Sequence, residues 1–199
     1  MNVLFDFGNV LYTFDYGVFF RAMAPQSRKS EEELRQLLFD GSPSAACRFE
    51  TGRIDPGEFI NWYKAEAGID LPETVIRQSF LEIFSPHEPG LLVARECAAV
   101  TRIGLVSNTN RIHFEEYMRH VPDFDLFSVV VLSYSLGAMK PDERLFQCAV
   151  NELNCEPEDC IFIDDLAENV SGAESFGMTG IHYLPGTDLR REVMCRLNP

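Results

Sequence analysis

Short apolar runs recur along this chain, each followed by a polar cluster, and the stretches between them carry helical periodicity. Val3-Leu4-Phe5 leads into Asp6-Phe7-Gly8-Asn9, and Ile103-Gly104-Leu105-Val106 leads into Ser107-Asn108-Thr109-Asn110. The run from Val129 to Leu132 precedes Lys140-Pro141, and Cys160-Ile161-Phe162-Ile163 ends on Asp164-Asp165. Such runs suit buried parallel strands. The spacing predicts strands over 102–106, 129–132, 160–163 and 180–183, with helices over 90–99, 111–120, 142–153 and 166–176 and a terminal helix. Strands alternating with helices define the fold class as α/β, a Rossmann-like doubly wound parallel sheet.

Between about residues 15 and 85 the pattern is helical, with no strand of convincing apolar length. Ser30 and Glu33 form a capping-box pattern before Leu34, Leu37 and Leu38. Asp55, Pro56 and Glu58 start a second helix carrying Phe59, Ile60 and Tyr63, and Gly68 stops it. Another helix opens near Pro72 with Val75, Ile76, Phe80, Ile83 and Phe84 as its apolar stripe. Ser85-Pro86-His87-Glu88-Pro89-Gly90 then breaks the pattern and marks a junction. The expected organisation is a core of residues 1–14 and 86–199 with a small helical insert at 15–85.

Length and composition sharpen this picture by exclusion. The chain has 199 residues, enough for one good core with an insert. Its net charge of −14, from 31 acidic against 17 basic residues, comes with no cluster of Lys or Arg. Nucleic acid and anionic membranes are therefore not expected partners. The six cysteines show no CxxC pair and no zinc-ligand spacing, and the sequence opens on a strand-like run rather than a basic and then apolar leader. Reduced thiols and a cytoplasmic location are the expectation. Nothing in the chain specifies an oligomeric state.

Each polar cluster has an ordinary structural explanation. Asp6 could brace a turn at Gly8-Asn9, Ser107 and Asn108 could cap a helix, and Lys140 could lie on the surface before Pro141. Asp165 with Glu168 reads as a capping box. In a parallel sheet, however, all carboxyl ends lie on one edge, so Asp6, Ser107, Lys140 and Asp164-Asp165 are expected to meet in one crevice. Three carboxylates facing one ammonium leave a charge near −2, which a partly buried pocket does not tolerate without a counter-ion. All-oxygen donors without His or Cys point to Mg²⁺.

These segments resemble the haloacid dehalogenase superfamily, in particular its small capped phosphatases of the glucose-1-phosphate phosphatase type. The resemblance spans nearly the whole chain, through FDFGNVL, VSNTNR, LGAMKPDERLF and FIDDLAENVSGAESFGM in that order. It implies a hydrolase acting on phosphoric monoesters, with the strand before Asp6 central in the sheet and the helical insert serving as a cap. Carried over by residue, it makes Asp6 the nucleophile that forms an aspartyl phosphate. Ser107, the Asn108 backbone and Lys140 then hold the phosphoryl group, and Lys140 balances its charge. Mg²⁺ is bound by Asp6, the Gly8 backbone carbonyl and Asp165, with Asp164 either a further ligand or an outer partner. The expected partner is a small phosphorylated metabolite.

Gly8 departs from the family's commonest motif, which has an aspartate there. The resemblance gives that aspartate two roles, metal binding through its carbonyl and proton transfer through its carboxylate. Glycine keeps the first and loses the second, so general acid–base help of about 10²–10⁴-fold must come from elsewhere or be absent. A glycine also suits a backbone needing positive φ or close approach. The form with glycine and then asparagine also occurs in the phosphatases this chain resembles. A sugar 1-phosphate, whose hemiacetal hydroxyl departs more readily than an ordinary alcohol, is the narrower substrate expectation. Asp15 is a helix N-cap or hinge residue before it is a replacement acid. Arg48, Phe49 and Glu50, before Thr51-Gly52, are candidate substrate contacts from a loop of the insert, and His113 receives no role. Alternatives are a non-catalytic phosphate- or protein-binding module of the same scaffold, a phosphomutase, or a dehalogenase.

Overall fold

The computed structural model describes residues 1–197. Its centre is a parallel sheet of β1 (Asn2–Phe5), β4 (Ile103–Ser107), β5 (Phe127–Leu132), β6 (Cys160–Asp164) and β7 (Thr179–His182) in the order β5-β4-β1-β6-β7. β1 is central, with Val3 beside Ile103 and Ile161 on its two sides.

The strands read as continuous apolar runs because both faces are covered. Val3, Phe5, Leu105, Ile161 and Ile163 pack on one face against α6 (Glu88–Ala98) and α11 (Leu189–Leu197). Leu4, Val106, Val129 and Phe162 alternate onto the other, against α9 (Glu143–Leu153) and α10 (Ala167–Ser175). A side chain at Gly90 would place its Cβ 1.7 Å from the Val10 carbonyl oxygen, so glycine lets α6 lie directly on the backbone after β1.

A second core belongs to the insert. It is built by α1 (Tyr16–Met23), α2 (Glu31–Phe39), α3 (Ala45–Glu50), α4 (Pro56–Ala67) and α5 (Glu73–Leu81) around Phe19, Leu34, Phe49, Phe59, Tyr63 and Phe80. The expected Ser30–Glu33 capping box forms, Asp55 at the expected start of the next helix makes a capping box with Glu58, and Gly68 ends α4 at φ 65°. Asp15 caps α1 by accepting the Gly17 N–H at 2.7 Å and pairs with Arg21.

Two strands not expected from the sequence join the cores. β2 (Tyr12–Phe14) pairs antiparallel with β3 (Phe84–Pro86), so the chain enters and leaves the insert side by side. Strands this short and partly exposed, the second ending on proline, give no readable period. The remaining helices are α7 (Arg111–Glu116), shorter than its pattern suggested, and α8 (Ser133–Leu136). Among the described residues no helix is long and apolar enough to cross a membrane.

Candidate active site

Asp6 is the first residue beyond β1, and its N–H bonds the Ile163 carbonyl at 2.9 Å, which fixes it beside the end of β6. Lys140 reaches this edge from the segment before α9. Far from lying on the surface, its ammonium is fully buried, 2.7 Å from Asp6 Oδ1 and 2.7 Å from Asp164 Oδ2. Burial alone would lower the Lys140 pKa, but the two carboxylates outweigh it and hold the pKa raised.

Asp164 is occupied on both oxygens. Oδ1 accepts from the Leu166 N–H at 2.9 Å and from Asn169 Nδ2 at 3.0 Å, while Oδ2 takes Lys140 and Asn169. This side chain therefore orients Lys140 and starts α10. The Asp165–Glu168 capping box does not form, because Leu166 is the N-cap residue and Asp164 has taken its N–H. Asp165 is instead turned towards Asn9, whose Nδ2 donates to its Oδ2 at 2.8 Å. Asn9 holds a left-handed φ of 55°, a conformation asparagine tolerates better than most residues.

Carboxylate oxygens of Asp6, Asp164 and Asp165 lie within 4.8 Å of one another. Burial drives Asp6 well above the usual carboxylate range against the pull of Lys140, and Asp164 and Asp165 add to the rise. One ammonium thus leaves the pocket short of positive charge.

Ser107, the last residue of β4, is buried at the same edge. Asn108 does not cap a helix. Its side chain donates to the Lys140 carbonyl at 3.1 Å and accepts the Lys140 N–H at 2.7 Å, bracing the lysine from behind. The cap of α7 is Asn110, which accepts the His113 N–H. Burial pushes His113 down to about 3, so its imidazole is neutral; it stacks on Phe80 at 4.3 Å and bonds the Phe80 carbonyl through Nε2. That is a structural role, tying α7 to α5.

A cavity of about 70 Å³ opens beside Gly8, Ser107 and Asn108. Phe14, Tyr16, Ile83, Phe84 and Met118 give it a largely apolar wall, and Glu50 enters from the insert. The segment expected as a loop is the last turn of α3. Of its three candidate contacts, Phe49 is buried in the insert core, stacked on Phe59 at 4.2 Å, and Arg48 is half-buried outside the cavity lining. Only Glu50 reaches the cavity, and burial, assisted by the charge on Asp6, pushes its carboxyl up to about 8. Gly8 has no positive φ; the nearest obstacle to a side chain there is the edge of the Phe14 ring, whose Cε1 would lie 2.7 Å from a Cβ.

A doubly wound sheet with a polar pocket at its carboxyl edge and a helical insert above that edge has its pocket where such folds bind their ligands. Residues 1–177 match the model of the haloacid dehalogenase-like hydrolases, and the chain belongs to that family. A sesquiterpene phosphatase from Aspergillus oryzae is 24% identical over 200 residues, covering 96% of both chains. A drimenol cyclase from Aspergillus calidoustus is 26% identical over 196 residues, 96% of this chain, which spans only 35% of the cyclase. Among solved structures, a family member from Bacteroides thetaiotaomicron in complex with magnesium and inorganic phosphate superposes with a TM-score of 0.83 at 23% identity, covering 96% of this chain and 98% of that one.

Asn9, Ser133 and Asn169 are polar residues at this edge that sequence reasoning passed over. Asn169 follows Asp164 by five positions on the next helix, a spacing that offered a signal. Ser133 offered none.

Proposed function

We propose that this chain is a Mg²⁺-dependent phosphatase that hydrolyses a small phosphomonoester through an aspartyl phosphate on Asp6. The observation that carries this reading is the buried contact of Lys140 with Asp6 beside Ser107 and Asn108. Gly8, Ser107 and Asn108 bring a cavity to the same edge, and an ester bound there would lie beside Asp6. Asp6 attacks phosphorus in line with the departing oxygen, the Ser107 hydroxyl and Asn108 N–H donate to phosphoryl oxygens, and Lys140 offsets their charge. The phosphatase named among its relatives agrees with this reading.

The donor set fits Mg²⁺, being all oxygen, clustered and short of positive charge. Asp6, Asp165 and the Gly8 carbonyl would hold the ion, while Asp164, saturated by Lys140, Asn169 and Leu166, stays outside as the anchor of the lysine. When bound, the ion supplies the charge that lets one anion approach another. Residues 15–85 act as a cap over the core formed by 1–14 and 86–199, excluding water and selecting the leaving group.

For that leaving group, Gly8 alone favours a sugar 1-phosphate. The wall of Phe14, Tyr16, Ile83, Phe84 and Met118 favours a second reading, an apolar alcohol.

The test is turnover of 4-nitrophenyl phosphate with and without Mg²⁺, for the native chain and for Asp6→Asn. The native protein is expected to require Mg²⁺ and Asp6→Asn to be inactive. An equally active Asp6→Asn would overturn the nucleophile, and turnover that survives chelation would overturn the metal.

A further inference from the structure

The geometry points to Glu50, a residue of the insert, as the catalytic acid and base that position 8 does not provide. This inference rests on the phosphatase reading above and adds the path of the proton.

Three observations converge on it. Gly8 and Glu50 line one cavity together with Ser107 and Asn108, so a phosphoryl group held by the last two has its ester oxygen in the space that Glu50 faces. Glu50 is positioned by its backbone rather than its carboxylate: its carbonyl accepts from Ser133 Oγ at 2.6 Å. Gly52, at φ 66°, then packs so tightly on α8 that an added Cβ would meet the Tyr134 carbonyl oxygen at 2.3 Å. The end of α3 is thus seated on the core, while the Glu50 carboxyl enters no ion pair or side-chain hydrogen bond among the described residues and remains available.

Glycine supplies no carboxyl at position 8, and a side chain there would meet the edge of the Phe14 ring at 2.7 Å, so a carboxyl for this cavity comes from another element. Asp15 lies outside the cavity lining and caps α1 beside Arg21. The other titratable groups around Glu50 are Asp6 from the core, Tyr16 from α1 and the neutral His113 from α7. None of them is a cation that would hold the Glu50 carboxyl ionised. Burial is the larger of the two causes that favour its protonated form, and burial does not depend on the charge of Asp6.

The steps balance. As Asp6 Oδ bonds to phosphorus, the bond from phosphorus to the ester oxygen breaks and that oxygen takes the proton of Glu50, leaving as the alcohol. The Glu50 carboxylate then takes a proton from water as the water oxygen bonds to phosphorus. The bond to Asp6 breaks, inorganic phosphate departs, and both carboxyl groups return to their starting states.

The experiment compares 4-nitrophenyl phosphate with phenyl phosphate, whose phenolate is the poorer leaving group, by rapid mixing in Mg²⁺. For Glu50→Gln, the first turnover on phenyl phosphate should fall by about 10²–10⁴-fold. First-turnover release of 4-nitrophenol should be nearly unchanged and appear as a stoichiometric burst, because phosphorylation no longer needs the acid while water attack lacks its base. The burst also reports an intact site. Glu50→Ala should regain part of its phenyl phosphate turnover with added formate. Equal losses on both esters without a burst, together with no rescue by formate, would overturn the role of Glu50. Failure of the native protein to cleave either ester would instead overturn the phosphatase reading.

Discussion

The Ser133 hydroxyl lies 2.6 Å from the Glu50 carbonyl oxygen and accepts the Thr109 N–H at 2.9 Å, so one buried side chain links the end of α3 to the segment that follows β4. Removing it by Ser133→Ala leaves a buried N–H and a carbonyl without their partner. The expected loss of stability is about 1–3 kcal/mol in urea unfolding. Turnover should fall more with phenyl phosphate than with 4-nitrophenyl phosphate, since it is the seating of Glu50 that is disturbed. Equal effects on the two esters would count against the link.

Lys140 sits between two buried carboxylates, and a neutral replacement strands both. Lys140→Met should cost about 3–5 kcal/mol in metal-free buffer. Adding Asp164→Asn to it should recover part of that loss, because one of the two stranded charges is then gone. A double variant as unstable as the single one would show that the carboxylates do not act through charge.

At Gly8 the obstacle is a single ring. Gly8→Ala should destabilise by about 1–3 kcal/mol through its contact with Phe14, and Phe14→Ala in the same chain should remove most of that penalty. The same cleared space makes a gain of function possible. Gly8→Asp with Phe14→Ala should restore phenyl phosphate turnover to Glu50→Gln, whereas Gly8→Asp alone should restore less.

Glu50 also gives stability a pH dependence with a defined sign. Its carboxyl is pushed from an ordinary value of 4.5 up to about 8 in the fold, so below about 4.5 folded and unfolded chains both hold the proton. As the pH rises above that value the unfolded chain releases its proton first, and stability falls until the folded carboxyl also ionises near 8. Glu50→Gln has no such decline. In metal-free buffer its melting temperature should match the native protein at pH 4 and exceed it progressively up to pH 8–9, by about 2–4 °C for each kcal/mol relieved. A constant offset across that range would contradict the burial of this group.

Legibility in the sequence followed burial. The five sheet strands stood out because residues such as Val3, Leu4 and Phe5 are covered on both faces, which writes them as unbroken apolar runs. The parallel order then brought Asp6, Ser107, Lys140 and the Asp164-Asp165 pair to one edge without further information. Side-chain assignments were less legible. Ser30 and Asp55 cap helices as their patterns say, whereas the same pattern at Asp165 was overridden by the neighbouring Asp164, which takes the N–H of Leu166, the residue that ends up at the N-cap of α10. Nothing local marks Ser133, because its partners Glu50 and Thr109 are distant in sequence and meet it only once the insert is seated. The paired strands β2 and β3 were hidden for a related reason, since each is only three residues long and acquires its identity from the other.

That pairing reaches beyond stability. The insert is spliced into the core through two adjacent strands, a junction across which one set of helices could be exchanged for another by recombination while the sheet stays as it is. With the proton donor carried on α3, such an exchange would transplant part of the chemistry along with the substrate preference. A chimera that received a foreign insert without a carboxyl at the Glu50 position would inherit a core able to accept phosphate and slow to give it up.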